Sequence, residues 1–78
     1  MTEEWVLSLW VVYDHPIDYP DAYVARLHEV SGAGRQRVTH HVLTADNLTE
    51  IRAALAAFGL TRISRSVEDD PVIVETWL

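Results

Sequence analysis

The 78 residues suffice for one α+β domain, residues 1–78, and a chain this short buries only roughly 60% of the surface it exposes when unfolded. Six basic residues against twelve acidic ones give a formal net charge of −6. That balance repels phosphate backbones, and the arginines form no patch, so nucleic acid is excluded as a partner. Cysteine is absent, which excludes a disulfide framework or a thiolate metal site and leaves a bound partner or a second copy as the source of extra stability.

The opening "MTEE" is acidic where a secretory signal needs positive charge, and the longest near-apolar run, "WVLSLWVVY", is too short to span a bilayer. The expectation is a cytoplasmic protein with no membrane partner. Within that run, Trp5 to Tyr13 is apolar on both parities and rich in β-branched and aromatic residues, the pattern of a central strand covered on both faces.

The stretch "DHPIDYPD" follows. Asp14, His15, Asp18 and Asp21 supply oxygen and nitrogen donors within eight residues, yet their spacing fits neither a calcium loop nor a zinc helix motif. Aspartates beside prolines initiate turns, so the stretch reads first as a stiff connector. With Arg26 added, Asp14, His15 and Asp18 form the alternative site, that of a small metal- or ligand-binding protein or enzyme.

Ala22 to Val30 fits two patterns. As a helix it has Pro20 near its start and Tyr23, Leu27 and Val30 on one stripe; as a strand it pairs with the segment beyond "SGAG". The strand is preferred because pairing Val30 with Arg35 sets Leu27 against Val38, Ala25 against His40 and Tyr23 against Val42, so the apolar sets coincide. In that register His40 is a hydrogen-bonded core histidine. Adjacent strand residues point to opposite faces, so His40 and His41 are not expected to chelate one ion.

Asn47 to Phe58 is a helix. Asn47 and Glu50 have capping-box spacing, and Leu48, Ile51, Leu55 and Phe58 form one apolar stripe. Gly59 ends it in a left-handed conformation, with Leu60 placed to pack back. Leu60 to Ser66 forms a short strand, "EDDP" a turn, and Val72 to Trp77 a last strand with Pro71 at its start. The sum is an α+β fold: a four- or five-stranded, mainly antiparallel sheet with one helix on one face.

One helix leaves the second face of such a sheet uncovered. If Leu7, Leu9, Val11, Val72 and Val74 meet the helix, then Val6, Trp10, Val12, Ile73 and Trp77 form an apolar patch for a homodimer or a protein partner. Catalysis finds no support: Ser8 and Ser31 lack a nucleophile-elbow context, and "SGAG" lacks the helix and lysine of a phosphate loop. No catalytic residue, metal or cofactor is therefore assigned. The expected function is a non-enzymatic interaction module that self-associates or docks a protein partner. A remoter expectation is an acidic inhibitor that mimics nucleic acid.

"YDHPIDYPDAYVAR", "LTEIRAALAAFGLTRISR" and "DDPVIVETWL" together resemble a family of short uncharacterised proteins of bacteria and their phages, with a "YDHPxDYP…VxR" opening and a "DDPVIVEVWL"-like ending. The resemblance covers the whole chain. It implies no activity, cofactor or partner, but it favours a strand at "AYVAR", where Ala22 and Ala25 depart from the more β-branched pattern of that family.

Overall fold

The structure, a computed structural model, describes residues 4–63 and 72–78. Five strands form one antiparallel sheet: β1 (Trp5–Asp14), β2 (Tyr23–Ser31), β3 (Gln36–Ala45), β4 (Arg62–Ile63) and β5 (Ile73–Trp77), in the order β3-β2-β1-β5-β4. The one helix among the described residues, α1 (Leu48–Ala57), leaves β3 at one edge and crosses one face towards β4 at the other. Of segment 22–30, residues 23–30 are thus strand and pair with the segment beyond "SGAG", and β1 lies in the middle of the sheet. Among the described residues no helix is long and apolar enough to cross a membrane.

Local chemistry sets the helix ends. The Asn47 side chain accepts from the Glu50 N–H at 2.9 Å, satisfying one of the orphan donors of the first turn. At the other end Gly59 takes φ +79°, a left-handed position open to glycine without steric cost, and donates to the Ala56 carbonyl. Ile51 and Leu55 are fully buried and Leu48 partly so, whereas Phe58 is 59% exposed and leans on the Trp10 ring. The expected four-residue stripe therefore buries two members completely, and its last member, Phe58, is the C-cap rather than a helical residue.

Beneath the helix the core is Val12, Ala25, Ile51, Leu55 and Trp77, fringed by Trp10, Tyr23, Leu43, Leu60 and Val74. This reverses the expected faces. Trp10, Val12 and Trp77, read from sequence as an exposed interface, pack on the helix side, and Leu7, Leu9 and Val11 occupy the opposite one. Both parities of β1 are apolar, so alternation alone cannot choose between them. In β5 a bulge decides: Val12 pairs with Glu75 but Tyr13 pairs with Ile73, so Val74 is an extra residue and shares the helix side with Glu75. Ile73, on the far side of the bulge, stays on the open face, and Trp77 does not. Val6 is 61% exposed, at a second bulge where Trp5 pairs with Ser31 and Leu7 with Val30.

The β2–β3 hairpin also departs from its expected register. Ser31 accepts from Gly34 N–H, Gly34 lies at φ +84°, and Ser31 N–H donates to Arg35, which makes a three-residue loop ending in a left-handed bulge position. Val30 consequently faces Gln36, and a wider bulge then separates His28↔Val38 from Arg26↔Val42. Ala25 faces Leu43 rather than His40, and His40 is exposed rather than a core histidine. Of the expected 60–66 strand, Arg62 and Ile63 form β4; 64–66, the "EDDP" turn and Pro71 lie outside the described residues.

Buried polarity on the helix side is matched. Glu75, 3% exposed, accepts from Arg52 Nε and Nη2 at 2.9 and 2.8 Å and from Trp77 Nε1 at 2.7 Å. The hydrogen bond to Glu75 holds the Arg52 guanidinium above its ordinary pKa.

Candidate functional site: the open sheet face

The face that carries no helix among the described residues is built from alternate residues of four paired strands. Leu9 faces His28 and Val11 faces Arg26 between β1 and β2, and beyond them on β3 stand Val38 and Val42. Ile73 and Thr76 of β5 extend the face on the other side. Leu7 is 44% and Val38 56% exposed, and Leu9, Val42 and Ile73 are half-buried. Leu9, Val11, Tyr13, His28, Gln36, Ile73 and Thr76 line a shallow recess of about 230 Å³.

One end of this face is closed by the connector between β1 and β2. Arg26 Nη2 donates to both oxygens of Asp18, at 2.6 Å to Oδ1, and the guanidinium lies 5.4 Å from the Tyr13 ring centre and 5.8 Å from that of Tyr19. A single guanidinium nitrogen thus bridges the carboxylate while the planar group lies against two aromatic rings. The hydrogen bond from Arg26 holds the Asp18 carboxyl below its usual range. Val24, which shares the face with Arg26, is fully buried at this end, and so is most of Pro16. Next along the face, Tyr13 Oη and His28 Nε2 are 3.0 Å apart, a bond whose donor depends on the imidazole tautomer. Burial, and secondarily the charge of Arg26, push the His28 pKa down.

The four residues of the alternative site are not brought together. Asp18 and Arg26 pair over the open face. Asp14 pairs with Tyr23 of β2, and its carboxylate contacts the His15 imidazole. The His15 ring meets Tyr23 edge-on at 5.0 Å, and Tyr23 belongs to the fringe of the helix-side core. Two separate acid–base pairs, each internally matched, hold the connector to opposite sides of the sheet. His15 also has φ 49°, the left-handed region, where it turns the chain out of β1.

His40 and His41 behave differently from the expected alternation. The bulge in β3 lets both line one cavity of about 380 Å³ with Leu27, Glu29, Arg37, Val38 and Thr39. Glu29 and Arg37 are paired there, and Arg37 lies 4.0 Å from the Trp5 ring centre. Among the described residues no group of three or more His, Asp or Glu side chains is placed to hold a metal ion.

Tyr13, Tyr19 and His28 are the residues of the face that sequence reasoning does not single out. The signal that finds them is the pairing of β1 with β2 across the connector: once Asp14 faces Tyr23, Tyr13, Arg26 and His28 must share one side. On this face Arg26 is paired with Asp18 and Tyr13 with His28, with apolar side chains around them. Comparison with protein-family models, curated proteins and solved structures finds no match.

Proposed function

We propose that this protein is a non-enzymatic interaction module that self-associates through the open sheet face. The observation that carries the reading is that, among the described residues, Leu7, Leu9, Val38, Val42 and Ile73 flank His28 and Arg26 on the side away from the helix. Patches of this kind, rimmed by polar groups, mark association surfaces. A second copy suits it because the face itself is electrically balanced. Its one arginine is matched by Asp18, so two such faces meet without like-charge conflict although each chain carries −6.

Sedimentation equilibrium from about 1 μM to about 1 mM tests this, a range matched to weak and moderate affinities. The native chain is expected to associate reversibly, and Val38→Lys, placed at an exposed point of the face, to remain monomeric and folded, with a Tm at low protein concentration within a few degrees of the native one. A native chain that is strictly monomeric over the whole range overturns the proposal.

A further inference from the structure

We infer that His40 and His41 are half of a site for Zn²⁺ or a metal ion of similar chemistry, and that the same pair from a second copy, brought edge to edge along β3, completes it. The inference concerns the edge of the sheet and stands apart from the open-face reading above.

The half-site comes from an irregularity of β3. Arg26 pairs with Val42 and His28 with Val38, so Leu27 alone lies opposite the three residues Thr39, His40 and His41. The extra residues interrupt the alternation that sends neighbouring side chains to opposite faces, and both imidazoles line one cavity of about 380 Å³. The Thr39 hydroxyl accepts from the His41 N–H at 3.1 Å, which pins the bulge locally.

Both histidines are exposed, and among the described residues neither imidazole has a hydrogen-bond, ion-pair or ring partner. The other two histidines are engaged, His15 by Asp14 and Tyr23 and His28 by Tyr13. The charged residues of the cavity are engaged with each other: Glu29 Oε1 accepts from Arg37 Nε at 2.9 Å and lies 2.8 Å from Nη2. The cavity therefore presents two uncommitted nitrogen donors beside a neutralised ion pair and the apolar Leu27 and Val38.

Imidazole nitrogen suits borderline metals, zinc among them, whereas Ca²⁺ and Mg²⁺ seek oxygen. A closed zinc site takes four ligands in a tetrahedron, with Zn–N at about 2.0–2.1 Å. One chain falls short of that, since among the described residues no three His, Asp or Glu side chains converge. β3 is an edge of the five-stranded sheet, with no strand on its outer side among the described residues, so a second β3 can come alongside it about a two-fold axis. Such an axis supplies each His40–His41 pair with the two donors it lacks. The amide ladder of this edge is interrupted at Thr39–His41, so backbone pairing alone is a poor link between copies. Each chain carries −6, and a dication at the junction draws two acidic chains together.

The test is titration of the metal-free full chain with ZnCl2 at pH 7.5, with zinc counted by competition with a chromophoric chelator and mass measured by sedimentation equilibrium. One zinc should bind per two chains, and it should join two chains beyond whatever association the protein shows in EDTA, the level set by the open face. His40→Gln and His41→Gln should each weaken zinc binding by at least about tenfold and remove the zinc-dependent step. His28→Gln should keep that step, and MgCl2 should not produce it. In NMR spectra the His40 and His41 imidazole resonances should shift together as zinc is added. Absence of zinc binding at about 100 μM overturns the site, as does binding that survives in both variants. Zinc bound one to one by a chain that gains no mass overturns the sharing between copies. Association identical in ZnCl2 and in EDTA overturns the inference and leaves the open-face reading standing; a chain monomeric in EDTA and dimeric only with zinc does the reverse.

Discussion

Two valines on opposite sides of the sheet give the sharpest test of which face is core. Val12 is fully buried beneath the helix and Val38 is 56% exposed on the open face. Truncating Val12 to alanine removes the equivalent of two methylenes, about 1.6 kcal/mol at ~0.8 each, and leaves a cavity against Ile51 and Leu55, for a loss of about 2–3 kcal/mol. Val38→Ala removes the same atoms from a site already less than half buried and leaves no cavity, so its loss is about 0.7 kcal/mol or less. A domain of this size holds only about 4–12 kcal/mol in total. Val12→Ala should therefore lower Tm by about 8–20 °C and Val38→Ala by a few degrees. Urea titration followed by tryptophan fluorescence, at one low protein concentration so that association does not contribute, measures both. Equal losses, or a larger one at Val38, would refute the assignment of faces.

Glu75→Ala strips the acceptor from the buried Trp77 indole N–H and should cost about 1–3 kcal/mol in the same titration. Glu29→Ala, whose partner Arg37 is half exposed, should cost no more than about 0.5. In the hairpin loop, Gly34→Ala should lose about 1 kcal/mol because φ +84° is strained for any side chain although nothing crowds the added Cβ. Gly32→Ala, with open space and no such φ, should be neutral or slightly stabilising by thermal melt.

What the sequence makes legible here is what short-range chemistry determines. Asn47 and Gly59 mark the helix because a cap and a left-handed exit depend on a few neighbouring atoms. The apolar match between Tyr23–Ala25 and the residues after "SGAG" identifies a hairpin even though its register is wrong, since several registers align some valines. Parity was beyond reach for two reasons. β1 is apolar on both sides, and the bulge at Val74 moves Glu75 and Trp77 relative to Ile73 by a displacement that no alternation pattern encodes. The connector shows the same division: its prolines and aspartates announce a turn, but the pairing of Asp18 with Arg26 and of Asp14 with His15 follows from where β2 comes to rest. Tyr13 and His28 are fifteen residues apart and become neighbours only through that strand pairing.

The bulge near the start of β1 has a consequence for how these molecules avoid one another. Over Trp5–Leu9 the strand has no neighbour on its β5 side among the described residues, an uncharged edge that invites cross-strand growth. Downstream, the Asp14 N–H turns towards β5 and reaches Val72; upstream, the Glu4 carbonyl turns towards β2 and receives Gly32. The extra residue between Trp5 and Leu7 switches the direction in which successive amides point. An incoming strand that matched Ser8 would therefore fall out of step one residue later. The irregularity works as a stop against fibre-like stacking along that edge.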